Sequence, residues 1–250
     1  MRIHPLSEGS FTVDATKVFI PFNNAATQLQ ERAKGSLLVE VQPFVVITDN
    51  DIIILDTGLG QFSPSGSLQI HDNLMQLGIN PSQVTKVFMS HLHKDHASAM
   101  SYIHPEHNDR FISFPYANYY IQRREYDFAM EGNKSSYVPE SIEILHDYSK
   151  TIWLEEDEGI IDGYIKYQLT GAHSKFHQVC WIQEHDEIIF FGGDVAPQLQ
   201  QMKSRFVAKY DFDGKKCMEL RQQWWEQGKQ ENWQFAFYHD LKSPTTIASQ

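Results

Sequence analysis

The sequence predicts an α/β protein built in layers, two sheets packed face to face with helices outside, an αββα sandwich. Three observations predict it. Short β-prone apolar runs recur in both halves of the 250-residue chain. Helical periodicity interrupts them with Ile70, Leu74 and Leu77 at i, i+4, i+7 in the first half and Cys217, Leu220 and Trp224 at i, i+3, i+7 in the second. No Pro/Gly-rich linker separates the halves, so residues 1–250 are expected to form a single domain.

In order, residues 10–20 alternate loosely through Phe11, Val13, Val18, Phe19 and Ile20 and predict an opening strand and turn. Residues 21–35 form a polar loop ending at Gly35. Residues 36–48 are strongly β-prone, Asp49-Asn50-Asp51 makes a turn, and Ile52-Ile53-Ile54-Leu55 returns as the second arm of a hairpin. A helix over 67–78 starts at Ser67, ends at Gly78 and buries its Ile70, Leu74 and Leu77 face. Pro81 leads into a strand at 84–89. Residues 97–150 are dense in aromatics, and 111–130 reads as a short strand running into a helix. His104 and His107, in a Pro/Asn/Asp-rich loop, are expected at the surface. Strands follow at 151–154, 160–169, 179–183 and 187–191, and the last turn, His185-Asp186, should expose His185. A helix at 215–230 and a final strand at 233–238 complete the chain.

The 21 basic against 32 acidic residues give a formal net charge of −11, which argues against a nucleic-acid partner, because phosphate backbones call for a basic surface. Hydrophobic residues make up 41% and charged ones 21%, enough for a sizeable core. Cys180 and Cys217 imply no disulfide framework and are read as buried thiols. The N-terminus Met1-Arg2-Ile3-His4-Pro5-Leu6 lacks a signal-peptide core, and no run is long enough to span a membrane, so the cytoplasm is the expected compartment. A small-molecule substrate is the expected partner, and a homodimer is left open.

One stretch carries the chemistry: Ser90-His91-Leu92-His93-Lys94-Asp95-His96, directly after an apolar strand. Imidazole nitrogen and carboxylate oxygen both bind zinc and its divalent neighbours well. In an extended turn His91 and His93 point the same way, since side chains alternate with period two. A helix starting near Lys94 would turn Asp95 and His96 back toward that pair, so one loop can feed two metal centres. The plain alternative is a solvated His-rich loop, but H-x-H-x-D-H after a strand is a far more specific pattern than a lone H-x-H. The run resembles the signature of the metallo-β-lactamase-fold superfamily.

That resemblance implies the rest of the site. Leu55-Asp56-Thr57-Gly58 matches a run whose Asp orients a ligating imidazole from behind. Leu169-Thr170-Gly171-Ala172-His173-Ser174-Lys175-Phe176-His177 is similar to the superfamily's Gly-His-Thr-Pro-Gly-His loop, with Ala172, Lys175 and Phe176 departing from it. There His173 is the implied ligand, and His177 either supports the loop or lines the pocket. Phe190-Phe191-Gly192-Gly193-Asp194 resembles the strand end that supplies a bridging carboxylate, and His239 closes the set. The resemblance thus implies His91, His93 and His173 on one ion, Asp95, His96 and His239 on the other, and Asp194 between. It implies two divalent ions, zinc first with iron or manganese as alternatives, and an activated hydroxide attacking a small ester, lactone or phosphotriester. Asp95 would also relay the proton.

The lactonase-like and methyl-parathion-hydrolase-like branch is the most similar, through the run from Asp194 past Arg205-Phe206 and Tyr210-Asp211-Phe212-Asp213 into helix 215–230. Pro197 departs from it, standing where the lactonases carry a tyrosine. The same fold hosts glyoxalase II-type thioesterases and iron-dependent sulfur dioxygenases, and both readings stay open. Residues 21–35 and 111–137 are expected to frame the pocket mouth, favouring small, largely uncharged substrates over polyanions.

Overall fold

The computed structural model describes residues 1–23, 26–104, 109–132 and 134–248, so the expectation for His107 lies outside the described residues. The first half gives β1 (Arg2–Pro5), β2 (Gly9–Val13), β3 (Ile20–Pro21), β4 (Leu37–Val41), β5 (Phe44–Ile47), β6 (Ile52–Leu55), α1 (Gln69–Gln76) and β7 (Lys86–Phe88). Then come α2 (Lys94–Ala97), β8 (Ser101–Ile103), β9 (Arg110–Ile112), β10 (Asn118–Gln122), α3 (Arg123–Met130), α4 (Pro139–Ile142) and β11 (Thr151–Leu154). The remainder gives β12 (Glu158–Ile161), β13 (Ile165–Leu169), β14 (Gln178–Glu184), β15 (Glu187–Phe191), α5 (Leu199–Met202), α6 (Gly214–Glu231), β16 (Gln234–Ala236) and β17 (Thr245–Ile247).

Among the described residues, two six-stranded sheets form the body, ordered β1-β5-β6-β7-β10-β11 and β12-β13-β14-β15-β16-β17. Successive residues point to opposite layers. Val45, Ile54, Val87 and Tyr119 pack outward with Ile70 and Leu74 of α1, while their neighbours Val46, Ile53, Phe88 and Tyr120 pack inward against Cys180, Ile182, Ile189 and Phe191 of the second sheet. Val179, Phe190 and Phe235 face the other way, onto Cys217 and Trp224 of α6. Both sheets are therefore covered on both faces, which is why their strands read as nearly continuous apolar runs. The expected αββα layering is present. β6, β7, β10 and β11 run parallel, as do β15 and β16, so their carboxyl ends collect along one edge of the sandwich.

Several boundaries differ from expectation. The 36–48 run is two strands, because it breaks at Gln42-Pro43: the buried Gln42 amide donates to Phe237 O (2.7 Å) and Asp240 O (2.9 Å). β4 thereby leaves the main sheet for a small one ordered β3-β2-β4. The 160–169 run is a hairpin with the three-residue loop Asp162-Gly163-Tyr164, whose first two residues are left-handed (Asp162 φ 49, Gly163 φ 81). Edge strands β1 and β17 were not anticipated. Leu77, expected on the buried face of α1, lies beyond the last helical residue and is 41% exposed, while Ile79 turns inward instead. His104 is half-buried, edge-on to Phe111, rather than at the surface. His185 is exposed and both cysteines are buried, as expected. No helix among the described residues is long and apolar enough to cross a membrane.

Candidate metal centre

β7 delivers the histidine loop to the carboxyl edge of the first sheet. The chain stays extended at His93 (φ −61, ψ 150), which caps α2, so Asp95 and His96 occupy that helix's first turn. One donor nitrogen each of His91, His93 and His173 lie within 4.8 Å of one another, and the donor atoms of Asp95, His96 and His239 are equally close. His93 turns Nδ1 toward His173 Nε2 at 3.2 Å. Asp194, in the tight turn after β15, stands between the groups. Its Oδ2 is 3.2 Å from His173 Nε2, while its Oδ1 is 3.1 Å from His96 Nε2 and 3.0 Å from His239 Nε2. That turn needs glycine at Gly193 (φ 46), where a Cβ would lie 2.7 Å from Ser90 Oγ and 2.8 Å from His177 Nε2.

Behind the donors, four imidazoles have their other nitrogen engaged. His96 Nδ1 meets Asp56 Oδ2 at 2.7 Å and His173 Nδ1 meets Asp211 Oδ1 at 2.8 Å. His239 Nδ1 donates to Glu40 O at 2.6 Å, and His91 Nδ1 lies 3.1 Å from Ser90 Oγ. In each case Nε2 is left to face the centre, the usual role of such outer partners. Asp56 is itself fixed, accepting the Ser90 backbone N–H at 2.7 Å and the Ser90 hydroxyl at 2.6 Å. His177 is buried and does not line the cavity: its Nε2 accepts the Asp194 N–H at 3.2 Å and its Nδ1 lies 3.2 Å from Thr170 Oγ1.

Three supporting residues were not foreseen. Asp211 holds His173. Buried Glu125 accepts from Leu92 N (3.2 Å), Tyr137 Oη (3.0 Å) and Ser174 Oγ (3.1 Å), clamping the histidine loop to the His173 loop. Tyr238 stacks on His96, ring centroids 3.9 Å apart, and donates to Asp95 O at 2.6 Å.

The electrostatics favour cations. Burial, with neighbouring imidazoles adding to it, holds His91 and His93 well below the ordinary histidine range, so their lone pairs stay free. Burial opposes protonation of His96 as well, but the Asp194, Asp95 and Asp56 carboxylates outweigh it and raise His96 well above that range. Asp194 is held well below the carboxylate range, because His239, His96 and His173 outweigh its own burial. Buried His91 Nε2, His96 Nε2 and Asp194 Oδ1 also lack a hydrogen-bond partner. Two divalent cations would satisfy these atoms and carboxylates together. An all-nitrogen-and-oxygen donor set suits zinc, iron or manganese, so the residues present fit such ions.

A cavity of about 380 Å³ opens over this floor of His93, Asp95, His173, Asp194 and His239. Val13, Phe19, Leu37 and Val39 wall one side, Phe128 and Tyr137 a second, Tyr210 and Phe212 a third. None of the described residues of the expected 21–35 loop lines it; the segments flanking that loop do, because β2 and β4 pair directly and carry their side chains inward. Of the described residues in 111–137, Phe128, Ser136 and Tyr137 line the cavity.

The metallo-beta-lactamase superfamily profile matches residues 39–224, and the chain belongs to that superfamily. A solved structure of a probable metal-dependent hydrolase from Staphylococcus aureus aligns with a TM-score of 0.76 at 21% identity, over 99% of this chain and 92% of that one. AidC, a dizinc quorum-quenching lactonase, aligns at 0.70 and 19% identity, over 96% and 88%. An N-acyl homoserine lactone hydrolase, with the product N-hexanoyl-L-homoserine at its catalytic metal centre, aligns at 0.65 and 20% identity, over 96% and 93%. Likeness at these identities speaks for the fold, which is that of the metallo-β-lactamases. No curated protein matches the chain.

Proposed function

We propose that this chain is a metal-dependent hydrolase that uses two divalent ions, zinc foremost, to cleave a small ester, lactone or phosphotriester. The observation that carries the reading is Asp194, one carboxylate whose two oxygens face two separate donor sets at 3.0–3.2 Å. His91, His93 and His173 would hold one ion and Asp95, His96 and His239 the other. Cations so held would supply a bound water of lowered pKa and would polarise the carbonyl or phosphoryl oxygen. The chain's own residues do the rest. Asp95 lines the cavity, 3.4 Å from His239 Nε2, where its carboxylate can accept a proton from the attacking water and return it to the leaving group. The apolar walls hold the acyl or aryl part and keep bulk water out. Ser174 Oγ is engaged by Glu125, and neither cysteine lines the cavity. The readings of one domain over 1–250 and of a cytoplasmic location rest on the sequence.

Metal analysis of the purified protein, paired with a substrate panel, tests this. The expected result is about two zinc-like ions per chain and an esterase or lactonase activity that chelation removes and zinc restores. One iron per chain with sulfite release from a persulfide would move the protein to the redox class. Preference for glutathione thioesters would make it a glyoxalase II-type enzyme, and preference for RNA would overturn the small-ester reading.

A further inference from the structure

Three lysines line the catalytic cavity. Lys17 stands in the turn between β2 and β3, Lys94 opens α2 between His93 and Asp95, and Lys175 follows Ser174. They arrive from three separate segments of a chain whose formal net charge is −11. Among the described residues, lysines and arginines that ion-pair with carboxylate side chains are Lys86, Arg123, Arg124, Lys134, Lys215 and Lys229, and none of these three. The carboxylates lining the same cavity are Asp95, Asp194 and Asp211, and each faces an imidazole instead.

Lys17 is held there at a conformational cost. Its φ of 59 is left-handed, a region that side chains other than Asn, Asp and Gly rarely adopt. Asp14 imposes the turn, its carboxylate accepting Thr16 N–H at 2.9 Å and its carbonyl accepting Lys17 N–H at 3.0 Å. Lys175 lies over the rings of Phe128 (5.7 Å) and Phe176 (5.2 Å), which steadies its charge at the rim. A cavity with apolar walls, cationic lysines and no opposing free carboxylate matches an amphipathic ligand.

We propose that the substrate of this site carries one carboxylate, bound by Lys17, Lys94 and Lys175, while its apolar body lies against Phe19, Leu37 and Phe128 with the scissile ester toward the floor. This deepens the hydrolase reading and rests on it for the reacting bond, but recognition of the anion does not. On a protein of formal net charge −11, three lysines gathered at one mouth offset the acidic surroundings there and draw an anion toward it.

A matched pair of esters decides it: 4-nitrophenyl butyrate and its carboxylated analogue 5-butyryloxy-2-nitrobenzoate, each rate normalised to hydroxide-catalysed hydrolysis. The wild type should prefer the carboxylated ester by about tenfold in kcat/KM, a difference within reach of a few partly exposed charges. That preference should shrink as NaCl rises from about 0.02 to about 0.5 M, since screening acts on the anion's attraction. Lys17→Met with Lys175→Met should bring the ratio near one, whereas Lys17→Arg should keep it. Lys94 is left in place because it sits inside the ligand loop. A wild-type ratio at or below one, or a ratio unmoved in the double variant, overturns the proposal. If neither ester is turned over, calorimetry with the stable amides 3-butyramidobenzoate and N-phenylbutyramide judges the anion site by itself, apart from the hydrolase reading. Tighter binding of the benzoate, lost in the double variant, supports it; equal affinities sink it.

Discussion

His93 differs from the other donors in being half-buried, at the cavity floor, so replacing it with alanine widens a space already open rather than hollowing the core. His93→Ala should therefore fold with an unchanged circular dichroism spectrum, yet lose at least one ion per chain and more than the about 10–100-fold in activity typical of an outer partner. Metal analysis beside steady-state kinetics checks this, and full metal content with full turnover would show that His93 is no ligand. Asp211 is such an outer partner. It holds His173 Nδ1 at 2.8 Å and is almost wholly buried. Asp211→Asn keeps an acceptor oxygen but removes the charge that raises the basicity of the imidazole, so affinity for one ion should fall about 10–100-fold, read by competition with a chromogenic chelator. His177 stands apart from both, because its contact runs to the backbone of Asp194 and fixes where that carboxylate sits.

Legibility in the sequence follows from how local each feature is. β6 and β15 are apolar nearly throughout because layers cover both their faces, and such runs announce themselves. β1 carries Arg2, His4 and Pro5, and β17 carries Thr245 and Thr246; at a sheet edge such residues fit, and no pattern marks them. Asp162-Gly163 is a turn signal in the sequence, but the β-prone residues on either side of it read as one strand. The candidate donors were legible because four of them fall within six residues. Glu125 was not, since Arg123-Arg124-Glu125-Tyr126-Asp127 reads as a solvated helix face until the fold buries one member of it. Glu8 was hidden for the same reason. It lies beneath the turn after β6, accepting N–H groups of Leu59 (2.5 Å), Gly60 (3.2 Å) and Gln61 (3.4 Å). Gly58 (φ 89) admits it, for a Cβ there would lie 2.4 Å from Glu8 Oε2. Burial pushes Glu8 from 4.5 up to about 7, only partly offset by those amides. The folded state thus holds this proton more tightly than the unfolded chain does. Its contribution to stability is complete below pH 4.5 and lost as the pH rises through 7. A displacement of that size corresponds to about 3 kcal/mol. Urea denaturation of the metal-stripped protein should show Glu8→Gln gaining up to about 3 kcal/mol on the wild type across that window. Parallel pH profiles would mean that Glu8 is already ionised when folded.

Across the whole molecule, the donors join the two sheets. His91, His93, Asp95 and His96 follow β7 of the first sheet, whereas His173, Asp194 and His239 follow β13, β15 and β16 of the second. In the unfolded chain these groups are far apart, so the free energy of binding ions becomes free energy of folding. An ion at about a thousandfold over its dissociation constant stabilises the native state by about 4 kcal/mol. For a chain of this size, each kcal/mol moves the midpoint by about 2–4 °C. Chelation should therefore lower Tm by about 8–16 °C per ion, and zinc, manganese or iron should restore it in order of fit. The size of that gap should depend on pH, with a sign the carboxylates dictate. Without ions, His96 and His239 are raised above 6.5, because Asp194 and Asp95 outweigh their burial. Protons then stand in for the cations. That stabilisation is complete below 6.5 and lost as the pH rises through the folded values. The metal-free protein should accordingly weaken from about pH 6 to about pH 8.5 while the loaded one holds, so the Tm gap widens with pH. Calorimetric scans at both values, with and without chelator, measure it; a gap that narrows would mean that protons and ions do not compete for these carboxylates.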